Sequence, residues 1–260
     1  MLAALLIWLS ELCAMVFARW SLVALSGARA AGVVRPVVAM SVFSTAGALW
    51  TTRSKEIPYA ELPGLPQSFA LEAGKNALAG TTPVKSADGY AIATFAAGCF
   101  WGVELEFQRL PGVVATSVGY VQGHKQKPTY EEVSAATSGH TEAVQLIYDP
   151  GVISYARLCE AFWARLGDSA VRYQQVGNDR GPQYRSGIYT TTSAQLDVAR
   201  KSLVDAQKKF ASPIQTEVEP MRGVYWPAEA YHQRYLELGG RFNSPQSAAK
   251  GDTTPIRCYG

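Results

Sequence analysis

The chain has 260 residues, 48% of them hydrophobic and 17% charged, enough for one large domain or two small ones with an ordinary globular core. A net charge of +3, with no basic stripe interleaved with aromatics, argues against a nucleic-acid partner. Three histidines and four cysteines, with no metal-site spacing and no Cys-x-x-Cys pair, argue against a structural zinc and against a disulfide scaffold.

Residues 1–55 differ from the rest. Glu11 is the only acid before Glu56, while Arg19, Arg29, Arg35, Arg53 and Lys55 are basic among Ala, Ser, Leu and Val. An acid-poor leader of this kind reads as an organelle transit peptide, with a chloroplast favoured and a mitochondrion, the secretory pathway or the cytoplasm as alternatives. For a secretory signal, Leu2–Leu9 would be the apolar core and Ala28-Arg29-Ala30 the cleavage site. Against it, no positive charge precedes that core and Ser10-Glu11 break it. Arg19 interrupts Leu12–Leu25, so no membrane span is predicted. Cys13 would be removed with the leader. Residues 56–89 hold Pro58, Pro63-Gly64, Pro66 and Pro83, and read as an extended arm with little regular structure.

A domain spanning residues 90–240 follows. Tyr90–Ala97 reads as a strand and Val103, Phe107 and Leu110 as the stripe of a helix stopped by Pro111-Gly112. Val113–Val118 is β-branched and strand-like, and Gly119–Lys127 a polar loop. Glu142–Tyr148 alternates, with Glu142, Val144, Leu146 and Tyr148 on one face. Ser154 caps a helix carrying Leu158, Phe162 and Leu166, ended by Gly167, with Cys159 packed inside it. Gln174–Gln183 reads as a loop and Ser186–Thr190 as a short strand. Thr192 and Gln195 fit a capping box for a helix striped by Leu196, Ala199, Leu203 and Ala206. Ile214, Thr216 and Val218 mark a half-buried strand, and Pro227 suits the first turn of a last helix reaching Leu238. Residues 241–260 read as a mobile, irregular tail. Short amphipathic strands alternating with helices predict an α+β fold: a two-layer α/β sandwich on a central mixed sheet, with a split βαβ, ferredoxin-like core.

The chemistry centres on Gly98-Cys99-Phe100-Trp101-Gly102-Val103-Glu104. Cys99 falls where a strand ends and a helix begins. Unpartnered N–H groups and the positive end of the dipole there favour the thiolate. Gly98 permits the turn. Phe100 and Trp101 stand where a first helical turn is usually polar, and offer an apolar pocket beside the sulfur. Inert packing is the commoner fate of each of these residues taken alone.

The whole string resembles the signature of the A-type peptide methionine sulfoxide reductases. Four further blocks resemble that family in its order: Gly119-Tyr120-Val121-Gln122-Gly123, Pro128-Thr129-Tyr130, Gly139-His140-Thr141-Glu142-Ala143-Val144, and Gly177-Asn178-Asp179-Arg180-Gly181-Pro182-Gln183-Tyr184-Arg185-Ser186. The resemblance runs from about Ala91 to His232. It implies the same sandwich fold and a thiol-dependent reduction of methionine S-sulfoxide, free or in oxidised proteins, as a repair of oxidative damage. Cys99 would attack sulfur. Glu142, on an inward strand face that should raise its pKa, would give the oxygen a proton. The resemblance further implies that Tyr130 and Tyr184 help to hold that oxygen, that Asp179 supports them, and that Phe100 and Trp101 cradle the methyl group. Cys258, on the tail, would turn the Cys99 sulfenic acid into a disulfide that a thioredoxin-like dithiol reduces, with no bound cofactor and no metal. A monomer is expected. Asp252 stands near where many members carry an earlier tail cysteine, which favours a two-cysteine cycle. The His-Asp-Pro expected after Phe162-Trp163 is absent, which alters the 164–176 connector.

Two other classes compete. A thiol hydrolase would use Cys99 with His140 or His232 as base, yet no protease signature surrounds Cys99, and the two histidines read as satisfied structural residues. A non-catalytic binder of oxidised methionine would lack a working cycle, against which the intact Cys99, Glu142 and Cys258 argue.

Overall fold

A computed structural model describes residues 56–257; the expected leader with Cys13, and Cys258 in the tail, lie outside the described residues. A six-stranded mixed sheet has the order β7-β6-β1-β3-β2-β8. Its strands are β1 (Ala91–Ala96), β2 (Val113–Val121), β3 (Thr141–Tyr148), β6 (Gly187–Thr190), β7 (Glu217–Pro220) and β8 (Trp226–Pro227), while β4 (Gln175–Val176) and β5 (Asp179–Arg180) form a separate hairpin. The helices are α1 (Ala70–Leu78), α2 (Phe100–Gln108), α3 (Tyr130–Ser134), α4 (Tyr155–Leu166) and α5 (Ser193–Gln207).

The inner four strands lie in the order β6-β1-β3-β2, each antiparallel to its neighbour. With α2 crossing from β1 to β2 and α4 from β3 to β6, this is the split βαβ arrangement expected. The β6-α5-β7 unit adds a parallel strand at one edge, and β8 extends the other. All eight residues of β3 are buried, as suits a central strand covered on both faces. Phe95, Val144, Leu146 and Ile188 face α2 and α4, where they meet Val103, Phe107, Leu158 and Phe162. Ile92, Ala96, Ala143, Ile147 and Tyr189 face the other way, against Phe69, Ala73 and Tyr225.

That second face depends on the segment expected to be an irregular arm. Residues 56–89 instead carry a 3₁₀ turn (Tyr59–Glu61) and the nine-residue helix α1, whose Ala70, Ala73 and Ala77 are buried. The prolines all lie outside the helix. Its apolar face is made of small residues, too weak a periodic signal to read locally, and sheet packing supplies the rest.

The expected last helix does not form. Pro227 sits in β8 at the sheet edge, where a missing N–H is tolerated, and Ala230–His232 is only a 3₁₀ turn. Tertiary partners replace the helical ladder. The Gln233 side-chain amide takes the N–H of Val118 at 3.0 Å and donates to its carbonyl at 2.9 Å. Arg234, at φ +56, donates its N–H to Glu104 Oε2 at 2.8 Å. Glu104 is buried inside α2 and also accepts from the Thr116 hydroxyl; burial pushes its carboxyl up to about 8.

Three smaller expectations also change. β2 runs on to Val121 through what reads as the start of a loop. The 174–183 segment contains the β4–β5 hairpin. Thr192 does accept from the Gln195 N–H, but Gln195 Oε1 turns to the N–H of Thr191, so the box at α5 is half made. The complete one is at α3, between Thr129 and Glu132. The tail, marked as mobile by its composition, is hydrogen-bonded to the domain. Arg109 donates from Nε to Ser247 O (2.9 Å) and from Nη1 to Thr254 O (2.6 Å). Lys250 Nζ caps the Val113 carbonyl at 2.7 Å. No helix among the described residues is long and apolar enough to cross a membrane.

Candidate active site

Cys99 is the N-cap of α2 and is half-buried. Two residues after the end of β1 the chain must turn sharply, and Gly98 adopts φ +80 to do so. Gly98 is required on a second count. A Cβ there would lie 2.8 Å from the Cβ of Val176, in the hairpin packed over the turn. Phe100 is fully buried against Trp101, Tyr120 and His232, and Trp101 is partly buried beside it.

Glu142 lies at the start of β3. The β1–β3 register, Phe95 opposite Val144, sets it across from the point where the chain leaves β1 for Cys99. The Phe100 N–H, the first unpartnered donor of α2, gives its hydrogen to Glu142 Oε2 at 3.0 Å. The Glu142 side chain is 3% exposed, and burial pushes its carboxyl up to about 8; the Phe100 hydrogen bond opposes this, and the Asp179 charge adds to it.

Tyr130 opens α3, set by the Thr129–Glu132 capping box. Tyr184 lies in a 3₁₀ turn (Pro182–Tyr184) that is pinned beside β3: the Thr141 hydroxyl is 3.0 Å from both the Gln183 and Arg185 carbonyls, and Arg185 Nη2 donates to Gly139 O. Burial raises both phenols. The charges of Glu142 and Cys99 add to the shift at each, and that of Asp179 at Tyr184. The expected residues Cys99 and Phe100, Tyr130, Glu142, Asp179 and Tyr184 are thus brought into one neighbourhood from five separate stretches of structure.

Reading the sequence missed the far wall. Tyr235 stacks on Trp101 with ring centroids 3.8 Å apart. The Trp101 indole N–H donates to His232 Nδ1 at 3.1 Å, so the ring proton of neutral His232 belongs on Nε2, 3.9 Å from Glu229 Oε2. The His232 ring also lies 4.6 Å from that of Tyr130. Glu229 ties this wall to the rest, accepting from the Tyr120 hydroxyl and the Tyr130 N–H, each at 2.9 Å. No local pattern marks Glu229, His232 and Tyr235 as one wall, because the partners of Glu229 and His232 lie about a hundred residues or more away in the chain. His140 is spent elsewhere: its Nδ1 accepts from Gly123 N–H and its Nε2 meets Lys125 O at 2.7 Å. Cys159 is buried in α4, its thiol pushed up to about 12. Among the described residues no group of His, Cys, Asp and Glu could hold a metal ion.

This arrangement can bring a thiol to an apolar group and a neutral carboxyl to an adjacent oxygen. Residues 91–251 match the family model described as peptide methionine sulfoxide reductase. Peptide methionine sulfoxide reductase A2-1 of Oryza sativa subsp. japonica is 48% identical over 188 residues, 72% of this chain and 96% of that protein. Peptide methionine sulfoxide reductase A4, chloroplastic, of the same organism is 49% identical over 176 residues, 68% of this chain and 66% of its own length. Among solved structures, methionine sulfoxide reductase A of Corynebacterium diphtheriae superposes with a TM-score of 0.54 at 35% identity, covering 56% of this chain and 73% of that one.

Proposed function

The chain belongs to the peptide methionine sulfoxide reductase family, and from that membership we propose that Cys99 and Glu142 carry out its reduction of methionine S-sulfoxide. The observation that carries the assignment is the buried Glu142 carboxyl, held by the Phe100 N–H beside Cys99 and neutral near pH 7. The Cys99 sulfur attacks the sulfoxide sulfur as the S–O bond is lost. Oxygen and the thiol proton end on Cys99 as a sulfenic acid, and methionine leaves. Because Glu142 Oε2 accepts from Phe100, Oε1 is the oxygen that presents the acid proton to the departing oxygen. Tyr130 and Tyr184, both un-ionised, donate to the same oxygen, with Asp179 supporting them. Phe100 and Trp101 take the S-methyl group, whose burial favours a thioether end over a polar one.

Cys258 condenses with the sulfenic acid: Cys99–SOH and Cys258–SH give the disulfide and water. A thioredoxin-like dithiol then reduces that disulfide and is itself oxidised, so no bound cofactor is needed. Substrates are oxidised proteins and free methionine sulfoxide, the enzyme acts as a monomer, and residues 1–55 direct it to a chloroplast. The chloroplastic rice relative and the acid-poor composition of the leader support that destination.

The test is a single turnover without external reductant. Reduced enzyme is mixed with each diastereomer of a methionine sulfoxide peptide, and methionine and residual thiols are counted. One methionine formed and two thiols lost, from the S form only, is expected. Cys99→Ser should yield none, and Cys258→Ser one methionine with no cycling on thioredoxin. Methionine from Cys99→Ser would refute the assignment.

A further inference from the structure

One face of α2 is bonded along its length to a single distant segment. Trp101, Glu104 and Gln108, spaced by three and four, share that face. The Trp101 indole N–H donates to His232 Nδ1 at 3.1 Å, Glu104 Oε2 accepts from the Arg234 N–H at 2.8 Å, and Gln108 Nε2 donates to Glu237 Oε2 at 3.2 Å. Glu104 is the most deeply buried of the three, 1% exposed, and its Oε1 accepts from the Thr116 hydroxyl at 2.9 Å. Arg234 meets it at φ +56, a left-handed conformation that a residue with a Cβ adopts only against a steric cost. The next residue is Tyr235, whose ring lies within 13° of parallel to the Trp101 indole, with centroids 3.8 Å apart. One turn of α2 and one dipeptide are thus joined twice, by a main-chain hydrogen bond at Glu104 and by a ring stack at Trp101.

We propose that Glu104 is a positioning residue for the substrate pocket: by holding the Arg234 N–H it keeps Tyr235 stacked on Trp101, and so fixes the indole that receives the S-methyl group. The proposal rests on the reading of Cys99, Glu142 and Trp101 given above. A buried carboxyl is costly unless its oxygens are bonded, and an apolar residue would pack α2 without that cost. What Glu104 supplies instead is an acceptor. Arg234 lies outside the helices and strands, so its N–H has no ladder to join. Without Glu104 that N–H would lose its partner and the positive φ its compensation, and residues 234–235 could relax away from α2. Trp101 would keep its bond to His232 but lose the ring that covers one of its faces. The loss should fall on substrate binding and not on the proton, because Glu142 is held separately, by the Phe100 N–H.

The experiment measures single turnovers against the concentration of a methionine S-sulfoxide peptide, which separates the half-saturating concentration from the limiting rate. Glu104→Leu is close in volume and has no acceptor, and Glu104→Met offers the same loss on a more adaptable chain if Leu disrupts folding. In either, the half-saturating concentration should rise about tenfold, the cost of one unsatisfied N–H, with a limiting rate within about twofold of wild type. Glu104→Gln should bind as wild type does. Its carbonyl still takes the Arg234 N–H, its amide can donate to the Thr116 hydroxyl, and burial already keeps the wild-type carboxyl, at about 8, uncharged at pH 7. Tyr235→Leu should match Glu104→Leu, and the double variant should be no weaker than either single one. Thr116→Val, which removes only the other bond of Glu104, should leave binding unchanged. Wild-type binding in the Leu and Met variants or in Tyr235→Leu, additive losses in the double variant, or an equal loss in Thr116→Val would overturn the proposal. Failure of the reductase reading shows differently: wild-type enzyme would form no methionine at all, and the proposal would fall with it.

Discussion

Replacing Glu142 by Gln isolates the proton from the shape. The amide fills the same volume, and its oxygen can still accept the Phe100 N–H now bonded at 3.0 Å, but it has no acid proton to give. General acid catalysis typically contributes 10²–10⁴-fold, so the first turnover at pH 7 should fall about a hundredfold, with little change in substrate affinity. The wild-type enzyme should approach its variant as pH rises. With the carboxyl at about 8, Glu142 is about nine-tenths protonated at pH 7 and about one-tenth at pH 9. The hundredfold gap should therefore shrink to about tenfold. Thiol ionisation affects both proteins alike and cancels in the ratio. Rapid-quench single turnovers from pH 6 to 9.5 measure it. A variant within about twofold of wild type, or a ratio that does not move with pH, would refute the acid role. Stability gives a second reading of the same group. Because the folded-state value lies above the ordinary 4.5, the folded protein holds this proton more tightly than the unfolded chain. The resulting stability is fully present below about 4.5 and is lost as pH rises to about 8, at no more than about 1.4 kcal/mol per pH unit. Gln cannot lose it, so urea melts at pH 5 and pH 8 should show Glu142→Gln gaining on wild type at the higher pH.

Gly98→Ala should cost about 2 kcal/mol or more, from the positive φ and the contact with Val176, and should lower activity by displacing the hairpin. Adding Val176→Ala should recover part of that loss, and strictly additive melts would rule out the contact as the cause. Tyr184→Phe and Tyr130→Phe should each lower kcat/KM by roughly tenfold, the size expected for one hydrogen bond to developing charge; unchanged kinetics in both would remove the phenols from the oxygen site. Cys159→Ala should cost about 1 kcal/mol of stability and leave turnover and the count of thiols lost unchanged, since its thiol is buried and held near 12. Loss of cycling in that variant would make Cys159, and not Cys258, the second thiol.

Local chemistry made much of this protein legible in one dimension. The Ser154 cap and the Leu158, Phe162 and Leu166 stripe of α4, the alternation of β3, and the Gly98-Cys99 junction are all properties of neighbouring residues, and all are as expected. The same holds for the residues gathered around Cys99, because the five motif blocks are each short and continuous. What required the tertiary structure was every element whose backbone partners lie far away in sequence. The segment after Pro227 looked helical until Gln233 could reach Val118 and Arg234 could reach Glu104, which offered stronger terms than a ladder of its own. Helix α1 carries too little apolar surface to announce itself, and exists because the second face of the sheet must be covered. The wall of Glu229, His232 and Tyr235, and the tail fastened at Arg109 and Gln246, are made of side chains more than ten residues from what they hold. Periodicity and capping cannot register such pairings, since the free energy that selects them appears only when the chain has closed on itself.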